Sequence, residues 1–180
     1  MTTDCDIWLP GVQQTLSPNF DDRPPQTTVD LLVIHNISLP PGRFGGEAVE
    51  AFFQNRLDPS AHPYFAEIAH LRVSAHLLVR RDGHAQQFVP LNRRAWHAGA
   101  SCFEGRERCN DFSIGIELEG TDDQPFSDAQ YDRLVELTRA IQARYPAITR
   151  DRITGHSDIA PGRKTDPGPC FDWQRYLSRL

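Results

Sequence analysis

No stretch of this chain approaches the roughly 18 consecutive apolar residues that a membrane-spanning helix requires, which excludes a helical membrane protein. Positive charge is scarce as well: 19 Lys and Arg stand against 24 Asp and Glu, for a formal charge of −5. Nucleic acid and anionic membrane both demand a strongly basic face, so neither is the expected partner. A small acidic ligand stays open wherever basic side chains gather locally. Cys5, Cys102, Cys109 and Cys170 form no CxxC pair, and 180 residues bury enough surface to stand without disulfide staples. They read as reduced thiols. "MTTDCDIWLPG" carries two aspartates where an export signal would carry positive charge, and no apolar stretch follows. The expected location is therefore the cytoplasm. No repeat, low-complexity tract or linker divides the chain, and a single domain over residues 1–180 is the expected organisation.

What is present reads as strands interspersed with helices. "TTVDLLVIHN" holds the apolar run Leu31 to Ile34, a buried strand ending at His35. "GGEAVEAFFQNRL" predicts a helix burying Val49, Phe52 and Phe53. "VSAHLLVRRDGHAQQFVPL" predicts two strands around an Asp82-Gly83 turn, with His76 in the first as a core histidine. "FSIGIELEG" alternates: Ile114, Ile116 and Leu118 share one face, while Ser113, Gly115, Glu117 and Glu119 leave the other polar and nearly bare. "SDAQYDRLVELTRAIQARYP" is the clearest helix, opened by a Ser127/Gln130 capping box, with Tyr131, Leu134, Val135, Thr138 and Ile141 in one stripe. "FDWQRYLSRL" reads as a short closing helix. The fold class is α/β, a mixed central sheet flanked by helices.

"TGHSDIAPGRKTDPGP", residues 154–169, is broken by proline and glycine, so neither helix nor strand is expected there. It nevertheless holds His156, Lys164 and Asp166. His35 ends a buried strand, the place where ligands collect in α/β folds. Together His35, His156 and Asp166 meet the count of three protein ligands that a catalytic zinc takes, with a fourth position left open. Their spacing follows no local pattern such as HExxH, so composition and spacing leave surface and structural roles open. Hydrolysis at such a metal needs a general base on a stiff element, for which Glu117 is the candidate, with Glu119 read as a solvated strand carboxylate. It also needs a cation facing the oxyanion, for which Lys164 is the candidate against the alternative of an ordinary surface lysine.

These residues lie in segments with a familiar look. "LLVIHNISLPPG", "HLRVSAHLLVRRDG", "RAWHAG", "GRERCNDFSIGIELEGTD" and "TGHSDIAPGRKTDPGP" resemble the zinc-dependent N-acetylmuramoyl-L-alanine amidases, a peptidoglycan-recognition-protein-like family, and among them its cytoplasmic members. The blocks occur in family order from about residue 30 to about residue 175. The resemblance implies a zinc ion held by His35, His156 and Asp166, a catalytic glutamate at Glu117 and the lysine at Lys164. It further implies a muropeptide substrate, cut between the lactyl group of 1,6-anhydro-N-acetylmuramic acid and L-alanine. That is a step of cell-wall recycling, which in bacteria with inducible β-lactamase also removes the inducing muropeptides. Substrate contacts fall on Asn36, Arg72, Trp96 and Arg108. The two arginines also suit the stem-peptide carboxylates, since guanidinium grips carboxylate with two bonds, although Arg72 could instead pair with a neighbouring acid and Trp96 could be core. Ser157 and Cys170 depart from residues common in close relatives, and neither is at a ligand place. Two rivals remain at this point: a module that binds muropeptides without cutting them, and an exported amidase acting on intact wall.

Overall fold

Alternation of apolar side chains along two long strands sets the layers of the computed structural model, which describes residues 5–180. Two-residue strands β1 (Gln13–Gln14) and β2 (Phe20–Asp21) precede the central strand β3 (Leu31–Ile37). Helices α1 (Ala48–Phe53) and α2 (Pro63–Ile68) follow, then the hairpin of β4 (Leu77–Val79) and β5 (Ala85–Gln87). The short β6 (Arg94–Ala95), β7 (Cys102–Phe103) and β8 (Arg106–Glu107) lead to the second long strand, β9 (Ser113–Glu119). The chain continues through α3 (Asp128–Arg144), β10 (Ile153–Gly155), α4 (His156–Ile159) and α5 (Trp173–Leu177). The reading of the N-terminal segment as lacking an export signal rests partly on residues 1–4, which lie outside the described residues.

Six strands form one sheet in the order β1-β5-β4-β9-β3-β10, antiparallel at the β4/β5 hairpin and parallel at the other pairings. This is the expected mixed sheet. On one face, Leu32 and Ile34 of β3 and Ile114, Ile116 and Leu118 of β9 pack with Tyr131, Leu134, Val135 and Ile141 of α3. On the other, Leu78 packs with Phe52 and Phe53 of α1 and Phe65 of α2, while Leu31 and Val33 meet Ala98, Phe112 and Ile159. Each such side chain contributes about 1.5–3 kcal/mol when fully buried, so a one-residue slip of β3 against β9 would cost several of them at once. The register is therefore firm, and it sets His35 beside Glu117.

Helix α3 opens as its sequence indicates: Ser127 Oγ accepts from Gln130 N at 3.1 Å, and Gln130 Oε1 accepts from Ser127 N at 3.1 Å. A hydrogen bond of 2.6 Å between Thr138 Oγ1 and the Tyr176 hydroxyl fastens α5 to it. The Asp82-Gly83 turn also forms, with Gly83 at φ +84°, a conformation that glycine adopts without strain. His76 is a core residue, though it sits just before β4 rather than in it.

Two expectations need correction. Residues 154–169 were expected to carry neither strand nor helix, yet Thr154 and Gly155 pair with Val33 and Ile34 in β10, and His156 begins the helical turn α4. The neighbouring strand supplies the ladder bonds that local composition could not reveal, and the Asp158 carboxylate starts the turn by accepting from Gly155 N and Thr154 Oγ1. Glu119 is not solvated: it is 3% exposed. Its carboxylate accepts from the backbone N–H groups of Gly45 at 2.6 Å and Arg81 at 3.0 Å, which replace water and hold two loops to the end of β9.

Candidate active site

The carboxyl ends of three parallel strands converge on one cleft. His35 lies near the end of β3, Glu117 beside it on β9, and His156 directly after β10. The turn that follows α4 carries Lys164 and returns Asp166 to the strand ends, where Ser157 N donates to the Asp166 carbonyl at 2.9 Å. Thus residues 131 positions apart in sequence become neighbours.

His35 Nδ1, His156 Nδ1 and one Asp166 carboxylate oxygen lie within 4.8 Å of one another. The two nitrogens are 3.0 Å apart, and Asp166 Oδ2 is 3.0 Å from the first and 3.1 Å from the second. Both imidazoles are buried. Burial pushes the His35 pKa down to about 4, against the pull of Asp166, so the ring is neutral at physiological pH. Burial pushes Asp166 upward, but hydrogen bonds to His156 and His35 outweigh it and hold the carboxyl below its ordinary range. The other ring nitrogens are committed elsewhere: His156 Nε2 donates to the Ala98 carbonyl at 3.1 Å, and His35 Nε2 meets His97 Nδ1 at 2.9 Å. The Nδ1 atoms of both rings face the shared point, where a metal ion would take the place of the hydrogens they share with Asp166. Two imidazole nitrogens and a carboxylate oxygen are a donor set that fits zinc with a coordination position to spare.

Glu117 sits half-buried on the cleft wall, and its Oε2 is enclosed without a hydrogen-bond partner. Burial raises its pKa well above the ordinary value; the charge of Asp166 adds to the shift and that of Lys164 offsets part of it. A carboxyl group in such surroundings holds a proton more firmly than a solvated one, which suits a group that takes up and returns a proton. Lys164 lines the same cleft and is exposed; it is the sole lysine among the 19 basic residues.

The cleft measures about 690 Å³, room for a small ligand. Phe52, Phe53, Tyr64 and Leu71 line its apolar side. Asn36 and Trp96 line it as well. Asn36 donates to Asp122 Oδ1 at 2.7 Å and to the Pro167 carbonyl at 3.0 Å, while Trp96 Nε1 donates to Asp21 at 3.2 Å. Arg72 and Arg108 stand outside this lining. Arg72 is exposed beside Leu71 and turns back to the carbonyls of Ala69, His70 and Leu71. Arg108, with φ +61°, pairs with Asp111 at 3.2 Å and borders an adjoining hollow. His97 proves to be in contact with His35; the signal was its place two residues after the half-buried "RA" strand β6, which only the fold makes meaningful.

A mixed sheet that carries at its strand ends a His-His-Asp cluster able to hold a metal ion, with a buried carboxyl beside it, is an arrangement suited to hydrolysis. The family model described as N-acetylmuramoyl-L-alanine amidase matches residues 25–169, and the chain belongs to that family. Among its relatives, the chain is 62% identical over 169 residues to the 1,6-anhydro-N-acetylmuramyl-L-alanine amidase AmpD of Escherichia coli (strain K12), covering 94% of this chain and 92% of that one. A crystal structure of a selenomethionine AmpD derivative matches with a TM-score of 0.94 at 59% identity, covering 96% of both chains. The E. coli amidase AmiD, solved with the substrate anhydro-N-acetylmuramic acid-L-Ala-D-γ-Glu-L-Lys, matches with a TM-score of 0.63 at 30% identity, over 89% of this chain and 65% of that one.

Proposed function

We propose that this protein hydrolyses the amide between the lactyl group of 1,6-anhydro-N-acetylmuramic acid and the L-alanine of the stem peptide, as a zinc-dependent enzyme of cell-wall recycling in the cytoplasm. The observation that carries this reading is the convergence of three ligand atoms within 4.8 Å next to a carboxyl group with an unpartnered buried oxygen. Similarity to AmpD proteins over nearly the whole chain supports the substrate class. In a bacterium with inducible β-lactamase, the same reaction would lower the concentration of inducing muropeptides.

His35, His156 and Asp166 would hold the ion. When bound, zinc supplies Lewis acidity that polarises an amide carbonyl and makes a water molecule a stronger acid. Glu117 accepts a proton from the attacking water as its oxygen bonds to the lactyl carbonyl carbon. The raised pKa of Glu117 then suits the second half of the reaction, in which it returns that proton to the alanine nitrogen as the C–N bond breaks. Lys164 directs its ammonium toward the oxyanion of the tetrahedral state. Asn36 and Trp96 contact the substrate from the cleft wall, and Arg72 and Arg108 take stem-peptide carboxylates from the rim. No separate group is needed for proton return.

The test is incubation of the protein with anhydro-muramyl tripeptide and with polymeric wall, each with and without a chelator, followed by mass spectrometry. Release of free stem peptide from the small substrate, abolished by chelation and restored by zinc, is the expected result. Intact tripeptide after incubation with zinc would favour a muropeptide-binding module instead. Preferential attack on polymeric wall would favour an amidase of the exported type.

A further inference from the structure

Both imidazoles of the cluster are backed by the same two consecutive residues. His35 Nε2 meets His97 Nδ1, and His156 Nε2 meets the carbonyl of Ala98. An imidazole that turns an Nδ1 lone pair toward a cation keeps its proton on Nε2, so each Nε2–H donates and each backing atom accepts. His97 therefore accepts at Nδ1 and carries its own proton on Nε2, which Ser113 Oγ receives at 3.1 Å. One short segment thus faces the outer nitrogens of both rings.

That segment is itself held from both sides. Asn110 Oδ1 accepts from His97 N at 3.1 Å and from Ala98 N at 2.8 Å. Arg163 Nη2 donates to the carbonyls of Ala98 and Ala100, both at 2.6 Å. Beneath the His97 ring lies Gly115, where an added Cβ would stand 2.6 Å from the imidazole. The bare face of β9 is the seat of this ring.

We infer that His97 and the Ala98 carbonyl, clamped by Asn110 and Arg163, are positioning groups that set the orientation and tautomer of His35 and His156 and thereby the affinity for a divalent metal. The inference rests on the metal reading given above. None of these groups touches the reacting atoms. Arg163 acts at one remove, through the Ala98 carbonyl, from a residue whose side chain is otherwise exposed on the turn after α4.

The experiment compares the full-length protein with its His97→Asn, His97→Leu and Arg163→Ala variants. Zinc affinity is read by competition with a chromophoric chelator, geometry by the visible spectrum of the cobalt-loaded protein, and folding by the melting temperature of the metal-free form. His97→Leu removes the acceptor and should weaken zinc binding about 10- to 100-fold and alter the cobalt spectrum, beyond any loss of stability that its metal-free melt records. His97→Asn retains an acceptor near the Nδ1 position and should recover most of that loss. Arg163→Ala, an exposed change that leaves the core alone, should weaken binding by roughly tenfold, the lower end of the same range. Unchanged zinc affinity in His97→Leu and Arg163→Ala would overturn the inference while the metal reading stood. Equal losses in His97→Leu and His97→Asn, tracking their metal-free melts, would also overturn it, since bulk alone would then matter. Failure of the unaltered protein to take up zinc would overturn the metal reading itself.

Discussion

His76 should make the protein acid-sensitive by an amount that its surroundings define. Its ring is fully buried, Nδ1 accepts from Gly115 N at 3.0 Å, and Nε2 donates to the Arg93 carbonyl at 3.0 Å. Burial, together with the facing Arg23 guanidinium and the nearby His35, depresses its pKa from 6.5 to about 3; the His97 ring packs beside it. Above pH 6.5 neither the folded nor the unfolded chain holds a proton on this ring. Between pH 6.5 and about 3 only the unfolded chain does, so stability falls as pH falls. Each pH unit in that window corresponds to about 1.4 kcal/mol, which sums to roughly 2.5 kcal/mol between pH 7 and pH 4.5. His76→Asn keeps an acceptor for Gly115 N but removes the titrating group. At pH 7 it should be less stable than the parent by about 1–3 kcal/mol for the lost Arg93 bond and packing. By pH 4.5 that gap should have closed by roughly 2.5 kcal/mol. Urea unfolding of the metal-free proteins at both pH values measures it. A stability gap that is the same at pH 7 and pH 4.5 would refute the reasoning.

Other perturbations separate chemistry from structure. Glu117→Gln should lower kcat at least a hundredfold while zinc content stays at one per chain. Because folding raises the Glu117 pKa, its contribution is full below the ordinary value and is lost as pH rises through the folded value; the metal-free Gln variant should therefore gain stability over the parent at alkaline pH, as urea titration would report. Lys164→Ala should reduce kcat on the order of 100- to 1000-fold with KM little changed, read by steady-state hydrolysis of anhydro-muramyl peptide. Chelation should abolish turnover and lower the melting temperature, and added zinc should restore both, since a ligand bound only by the folded state stabilises it. Gly115→Ala should cost about 1–3 kcal/mol in urea unfolding, because its new methyl group would displace the His97 ring.

How much of this was legible beforehand depends on the range of the interaction concerned. The alternation of Ile114, Ile116 and Leu118, the Ser127/Gln130 box and the Asp82-Gly83 turn are local patterns, and each appears in the structure where its residues stand. The gathering of His35, His156 and Asp166 follows from the resemblance of whole segments to a family; spacing alone left it open. What stayed hidden depends on a partner distant in sequence. Thr154 and Gly155 became strand only because β3 lay alongside, and Glu119 could be buried only because Gly45 and Arg81 turned their N–H groups toward it. The contact of His97 with His35 exists only because β6 brings the two together. The exposed settings of Arg72 and Arg108 likewise depend on loop paths that no periodicity records.

Lys164 offers an unusual practical handle. With a single ε-amine in the chain, a reagent selective for primary amines has one side-chain target, told apart from the α-amine by peptide mapping. Labelling speed at that nitrogen therefore reports whether the cleft is filled, free of background from the remaining surface. A lysine-specific endoprotease has likewise one point of attack, the bond to Thr165, on an exposed turn between His156 and Asp166. Protection of that bond by metal or by muropeptide would turn a simple gel into an occupancy gauge.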